Sequence, residues 1–244
     1  MNTLSGQSVL ITGGGSGIGL AAARLFLAEG ARVAIAGRDA DKLRRAADSL
    51  NGGDRLIQRP TDVTDTEQVR QLVEDVNRRF GRIDVLVNNA GLNIKERTLR
   101  ELTPERWRRL LAGNLEGAFH CMQAVLPFMR ERRDGLIINV NSISGKRANP
   151  LGGSGYIAAK FALRGLAMGV AAEEKPNGIR VSSIYPGEVD TPILEQRPNQ
   201  VTEEHRRSML RPEDVAAAIL FIAALPANAT VPELVITPSS ALYI

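Results

Sequence analysis

Of the 244 residues only one is cysteine, two are histidine and 4% are aromatic. A single thiol, Cys121, excludes an internal disulfide, and two histidines without paired cysteines leave no zinc-binding spacing, so no metal site is expected. Long apolar runs are also missing. The first thirty residues hold only Val9 to Ile11 before a string of glycines, which matches neither a signal peptide nor a membrane span. A cytoplasmic protein without membrane attachment is therefore expected. No linker rich in proline, glycine or serine, no charge block and no internal repeat divides the chain, so one domain over residues 1–244 is expected. With 43% hydrophobic and 24% charged residues the composition excludes disorder and collagen-like structure.

Thirty-one Lys and Arg against twenty-seven Asp and Glu give a net charge of +4, which raises the question of a polyanionic partner. The distribution argues against one. Arg106, Arg108 and Arg109, and likewise Arg130, Arg132 and Arg133, fall within helical periodicity beside Glu105 and Glu131, with little aromatic interleaving. Such clusters suit solvated helix faces and helix C-termini, so no nucleic-acid partner is expected.

Short apolar strands alternate with amphipathic stretches along the chain. Ser8 to Thr12 and Arg32 to Ala36 flank a helical stretch from Gly17 to Glu29. The alternation continues through a helix over Ala40 to Leu50, a strand over Arg55 to Arg59, a helix over Thr66 to Phe80 and a strand over Ile83 to Val87. Thr103, Pro104 and Glu105 suit the N-cap and first turn of a long helix running toward Arg132. Strands over Leu136 to Val140, Gly178 to Ile184 and Glu233 to Thr237 then alternate with helices over Ser154 to Glu174 and Pro212 to Leu225. About seven mainly parallel strands and at least six helices make a doubly wound α/β sheet of Rossmann type.

The first strand runs into TGGGSGIG, residues 12 to 19, which opens the first helix. A glycine-rich turn in that position lets backbone N–H groups approach a pyrophosphate at a helix N-terminus. Its spacing is glycine at 13, 17 and 19, not GxGxxG. Together with Asn88-Asn89-Ala90-Gly91, a serine just past the strand ending at Val140, Tyr156 and Lys160 as YxxxK, and Pro186-Gly187, the turn resembles the short-chain dehydrogenase/reductase family from Leu4 to about Thr237. The C-terminus departs from that pattern, having Ile236, Thr237, Pro238, Ser239 and Ser240 where many members carry Asp-Gly-Gly.

The resemblance implies a nicotinamide cofactor held by Gly13, Gly15, Ser16, Gly17, Ile18 and Gly19, with Asp62 and Val63 at the adenine, Asn88, Ala90 and Gly91 beneath the adenosine ribose, and Pro186, Gly187, Val189 and Thr191 at the nicotinamide end. At the end of the second strand, where a carboxylate would bond the ribose 2'-hydroxyl, Gly37 and Arg38 stand instead. A guanidinium there pairs with a 2'-phosphate, so NADP(H) is favoured over NAD(H). Asp39 is the counter-argument, although it also suits the N-cap of the following helix.

Tyr156 and Lys160 lie four apart and so share one helix face. An ammonium near a phenol favours the phenolate, and a phenol so tuned exchanges a proton with a carbonyl oxygen. The resemblance makes both residues catalytic and cofactor-binding, assigns Ser142 to the substrate oxygen with Ser144 as the runner-up, and gives Asn114 a water-mediated link to Lys160. The implied proton path runs from substrate through Tyr156, the cofactor ribose, Lys160 and water to Asn114.

Residues 191 to 210 are expected to form a lid, with Asn93, Ile94, Lys95, Lys146, Arg147, Asn149, Leu151, Glu188 and Leu194 on the pocket wall. Lys95, Lys146 and Arg147 raise the option of an anionic carbonyl substrate. Three functions remain open: a ketone or aldehyde reductase reversible to an alcohol, a 3-oxoacyl thioester reductase, and a non-catalytic NADP(H)-binding regulatory protein. Phe119, Met122, Leu163 and Met168 exceed what one sheet face needs, and the resemblance implies a homodimer or homotetramer on those helices.

Overall fold

The computed structural model describes residues 4–241. Seven strands, β1 (Ser8–Thr12), β2 (Arg32–Gly37), β3 (Leu56–Pro60), β4 (Val85–Asn88), β5 (Gly135–Val140), β6 (Ile179–Pro186) and β7 (Glu233–Ile236), form one sheet in the order β3-β2-β1-β4-β5-β6-β7. All neighbours run parallel. Helices α1 (Gly17–Ala28), α2 (Ala40–Leu50), α3 (Thr66–Phe80), α4 (Pro104–Leu111), α5 (Gly117–Arg132), α6 (Ser154–Glu174), α7 (Glu203–Ser208) and α8 (Pro212–Ala223) follow the strands.

The central strands are apolar at consecutive positions because both faces are covered. Val9 and Ile11 of β1 join Phe26 of α1 and Ile219 of α8 in one core, whereas Leu10 points the other way to Leu72 and Val76 of α3 and Met122 and Val125 of α5. Successive strands leave β1 in opposite directions, toward β2 on one side and β4 on the other. That reversal opens a crevice beyond the carboxyl ends of β1 and β4, where sheets of this kind bind ligands.

Local signals fix several element ends as the residues require. Asp39 caps α2 by accepting the Lys42 N–H at 2.9 Å, and Thr103 caps α4 by accepting the Arg106 N–H at 3.3 Å with Pro104 in the first turn. Strand β4 starts at Val85, two residues later than the apolar pattern suggests, because Asp84 turns its carboxylate onto the Ser8 N–H at 2.8 Å. Strands β2 and β6 run on to Gly37 and Pro186, and β3 starts after a short turn of 3-10 helix over Gly53–Arg55.

The long helix expected after Thr103 is broken by a π-helical turn over Ala112–Glu116. Two glycines allow it: a Cβ at Gly113 would meet Leu92 Cδ2 at 2.7 Å, and one at Gly117 would meet Val63 Cγ2 at 2.5 Å. The helix therefore presses directly against the loops after β3 and β4. On the outer faces, Phe119 and Met168 are exposed as expected, but Met122 and Leu163 are core residues. Helical spacing alone did not separate the two sides of α5 and α6. Among the described residues no helix is long and apolar enough to cross a membrane.

Candidate active site

The crevice is a cleft of about 1140 Å³ running from the first turn of α1 to the segment between β6 and α8. Its first wall is the glycine turn. Gly17 has φ +53, and a Cβ at Gly19 would collide with the Gly13 carbonyl and approach Asn89 Nδ2 to 2.6 Å, so side chains are barred from both positions. Thr12 locks this turn to the loop after β4: its Oγ1 accepts the N–H groups of Asn89 (3.1 Å) and Ala90 (3.0 Å), while Asn89 Nδ2 donates to the carbonyls of Thr12 (3.0 Å) and Gly13 (3.2 Å). Ser16, the N-cap of α1, has an extended backbone and no side-chain capping bond, and the first turn carries no acidic residue. The positive end of the helix thus faces the cleft.

Gly13, Ser16, Gly17, Ile18, Arg38, Ala90, Gly91, Pro186, Gly187, Val189 and Thr191 all line the cleft, and so does Lys42, whose role the sequence pattern did not reveal. Gly15 and Gly19 support the turn from behind this lining. Asp62, Val63 and Asn88 also lie outside it. Asp62 accepts the Thr64 N–H and hydroxyl, Val63 is buried, and the Asn88 amide donates to Asn139 Oδ1 at 3.0 Å as a buried brace between β4 and β5. Asp39, committed to its capping bond, does not line the cleft.

The second wall carries titratable chemistry. Ser142 lies two residues past the end of β5, lines the cleft with Tyr156, and its hydroxyl accepts the Ser144 N–H at 3.1 Å. Ser144 is buried, and its Oγ accepts from Asn149 Nδ2 at 3.3 Å, which fits a turn-bracing residue. Lys160 is buried, with Nζ 5.6 Å from the Tyr156 ring centroid and donating to the Val140 carbonyl at 3.2 Å. Asn114, in the π-helical turn, donates to the carbonyls of Leu92 (2.8 Å) and Leu110 (2.9 Å), and its Oδ1 accepts the Leu92 N–H at 3.1 Å. Its side chain therefore clamps the loop after β4 to the widened helix. π-turns concentrate at functional sites for this kind of reason.

The electrostatics depart from the simple expectation that the lysine lowers the phenol. Burial raises the Tyr156 pKa, and the neighbouring Ser142 hydroxyl and the Arg97 charge pull only partly in the other direction. Burial also pulls Lys160 down to about 8. Both shifts have one origin, since low polarity penalises the tyrosinate and the ammonium alike.

Residues 7–202 match the sequence profile of a family described as short chain dehydrogenase. The chain belongs to that family. A relative, the 3-oxoacyl-[acyl-carrier-protein] reductase of Thermotoga maritima, is 38% identical over 229 residues, covering 90% of this chain and 91% of its own. The closed form of a serine dehydrogenase complexed with NADP+ superposes with a TM-score of 0.89 at 30% identity, covering 97% of both chains. A 3-ketoacyl-(acyl-carrier-protein) reductase from Brucella melitensis complexed with NADH gives 0.89 at 29%, covering 98% of this chain and all of that one. Membership in the short-chain dehydrogenases makes the protein an oxidoreductase of the type that acts on CH–OH or carbonyl groups.

Between the two walls lies a third, formed by loops. The lid region holds a short 3-10 helix over Pro192–Gln196 and then α7, and it is tied down by Arg197 to Glu188 (2.9 Å), Arg206 to Asp190 (2.6 Å) and a backbone bridge between Val189 and Leu210. Of the expected pocket wall, Asn93, Arg147, Asn149, Leu151, Glu188 and Leu194 line the cleft, but Ile94, Lys95 and Lys146 do not. Lys146 is drawn away by an ion pair with Glu233 and lies over the Tyr185 ring, 4.6 Å from its centroid. Arg97 and Arg109 line the cleft without having been anticipated, and Arg197 and His205 line it from the expected lid. Arginines on polar loops and helix faces read as solvated, and only the fold turns these inward.

Proposed function

We propose that the protein is an NADP(H)-linked oxidoreductase that interconverts a ketone or aldehyde with the corresponding alcohol, with Tyr156 as general acid and base. The observation that carries the reading is the grouping of Ser142, Tyr156 and buried Lys160, its Nζ 5.6 Å from the tyrosine ring, in a cleft continuous with the open N-terminus of α1.

The residues present fit a dinucleotide. The glycine turn cannot accept side chains, and the uncapped first turn of α1 suits the pyrophosphate. Arg38 and Lys42 reach the cleft where a 2'-phosphate would lie, while the nearest carboxylate in sequence, Asp39, is held by the α2 cap. These observations support NADP(H) over NAD(H). When bound, the nicotinamide supplies or accepts the hydride.

The protein's own part is proton handling and positioning. Burial keeps the Tyr156 phenol protonated, so in reduction its O–H donates to the carbonyl oxygen. Ser142 holds the same oxygen against the phenol. As charge shifts onto Tyr156 Oη, the nearby Lys160 ammonium stabilises it, and the Val140 carbonyl fixes the lysine in place. Asn114 positions the loop that carries Gly91, where a Cβ would stand 3.8 Å from Lys160 Nζ.

The relatives named for 3-oxoacyl carriers support a 3-oxoacyl thioester as a second substrate reading. Exposed Phe119 and Met168 on α5 and α6 support a homodimer or homotetramer, which sedimentation velocity tests. The cofactor reading is tested by titrating NADPH and NADH against wild type and Arg38→Ser. A preference for NADPH that falls about 10- to 100-fold in the variant is expected, and equal affinities in wild type would overturn it.

A further inference from the structure

Arg97 is 5% exposed, yet among the described residues no carboxylate pairs with it. Its Nε donates to the Ile94 carbonyl at 2.7 Å, one terminal nitrogen to the Leu151 carbonyl at 2.8 Å, and the other to the Gln196 carbonyl. A guanidinium has five N–H groups, so three carbonyls leave two uncommitted. Carbonyls satisfy direction but not charge. A buried cation without a counter-ion is costly, and here the like charge of Arg197 adds to the cost.

The packing holds the group in this position. A Cβ at Gly153, whose φ is +76, would meet Arg97 Cβ at 2.6 Å, so the guanidinium stem is seated against the start of α6. Arg197 is already paired with Glu188, whereas Arg97 is buried with carbonyl partners alone. Arg97 lines the cleft, and its charge is felt at the Tyr156 hydroxyl. Its three carbonyl partners lie in the loops after β4 and β5 and in the lid, away from Arg38 and the α1 N-terminus, so it is not placed for the cofactor phosphates.

We infer that Arg97 is the anchor for a carboxylate, and that the substrate is a small oxo acid or hydroxy acid whose carboxylate sits on Arg97 while its carbonyl or hydroxyl oxygen meets Tyr156 and Ser142. The inference rests on the carbonyl–alcohol chemistry proposed above and narrows its substrate. It also separates this chain from a thioester reductase, because a thioester is uncharged next to its ketone.

The test compares 2-oxobutyrate and acetoacetate with their methyl esters, which keep the ketone and remove the charge, using NADPH and wild type, Arg97→Gln and Arg97→Lys. At least one acid is expected to exceed its ester by about tenfold or more in kcat/KM. Arg97→Gln should erase that preference mainly through KM, and Arg97→Lys should restore part of it. Esters reduced as well as acids by wild type, or a preference that survives in Arg97→Gln, would overturn the carboxylate site. Binding is read separately as the rise in melting temperature of NADPH-saturated protein on adding each acid. A rise that depends on Arg97 without any turnover would uphold the carboxylate site and sink the carbonyl chemistry. No rise with either acid would sink the site even if neutral ketones are reduced.

Discussion

The two halves of the cleft are built by different means. On the cofactor side, the turn after β1 and the loop after β4 approach so closely that Gly13 and Gly19 tolerate no side chain, while Gly17 is held at φ +53. On the substrate side, loops are held by long side chains, with Arg97 joining three of them and Arg197 and Arg206 pinning the lid to Glu188 and Asp190. Close backbone approach leaves a trace in composition because only glycine satisfies it. An arginine that reaches across a cleft leaves none.

The contrast can be broken at the rigid half first. Gly19→Ala drives a methyl group into the Gly13 carbonyl and Asn89, contacts made of backbone and a braced amide. Overpacking of this kind costs about 1–3 kcal/mol, and the displaced turn should lose cofactor affinity by more than about tenfold. Calorimetric titration with NADPH checks this, and tight binding by the variant would show that the turn yields. Next in size, Ser142→Ala should lower kcat by about 100-fold through loss of one oriented hydrogen bond to the reacting oxygen. KM should move much less, a split that steady-state kinetics reads directly.

Lys160 gives a smaller effect with a distinctive pH signature. Its pKa falls from 10.5 in an ordinary environment to about 8 when buried. Between those values the unfolded chain holds the extra proton, so wild-type stability rises with pH through that window. The burial cost is full below about 8 and gone above 10.5; at about 1.4 kcal/mol per pKa unit it is of the order of 3 kcal/mol. Lys160→Met should therefore gain stability relative to wild type near neutral pH and lose that advantage by pH 10.5. Denaturant unfolding at several pH values measures the difference, and a pH-independent one would contradict a buried, strained ammonium. The smallest effect is expected in the lid. Arg206→Ala removes a partly exposed pair with Asp190 and should cost under about 1 kcal/mol in global stability.

The same contrast explains what the sequence made legible. Element order and the caps at Asp39 and Thr103 follow from local spacing and turn chemistry, and the structure shows each, whereas the choice of Ser142 over Ser144 came from the family resemblance. The π-turn at Asn114 was not legible, because it depends on Leu92 and Val63 pressing on Gly113 and Gly117 from distant loops. Lys146 was misplaced for a similar reason: its partner Glu233 lies 87 residues away on β7. The Tyr156 shift could not be read from its spacing to Lys160, since burial, which spacing does not record, dominates both groups.

The central claim is that Tyr156, set by Ser142 and Lys160, moves the proton in carbonyl–alcohol exchange. Its most direct measurement is the carbonyl-dependent loss of NADPH absorbance by wild type and Tyr156→Phe, with NADPH affinity measured on both. Turnover by wild type, reduced about 100- to 10,000-fold in the variant while NADPH still binds, is the predicted result. Comparable turnover by Tyr156→Phe would contradict it.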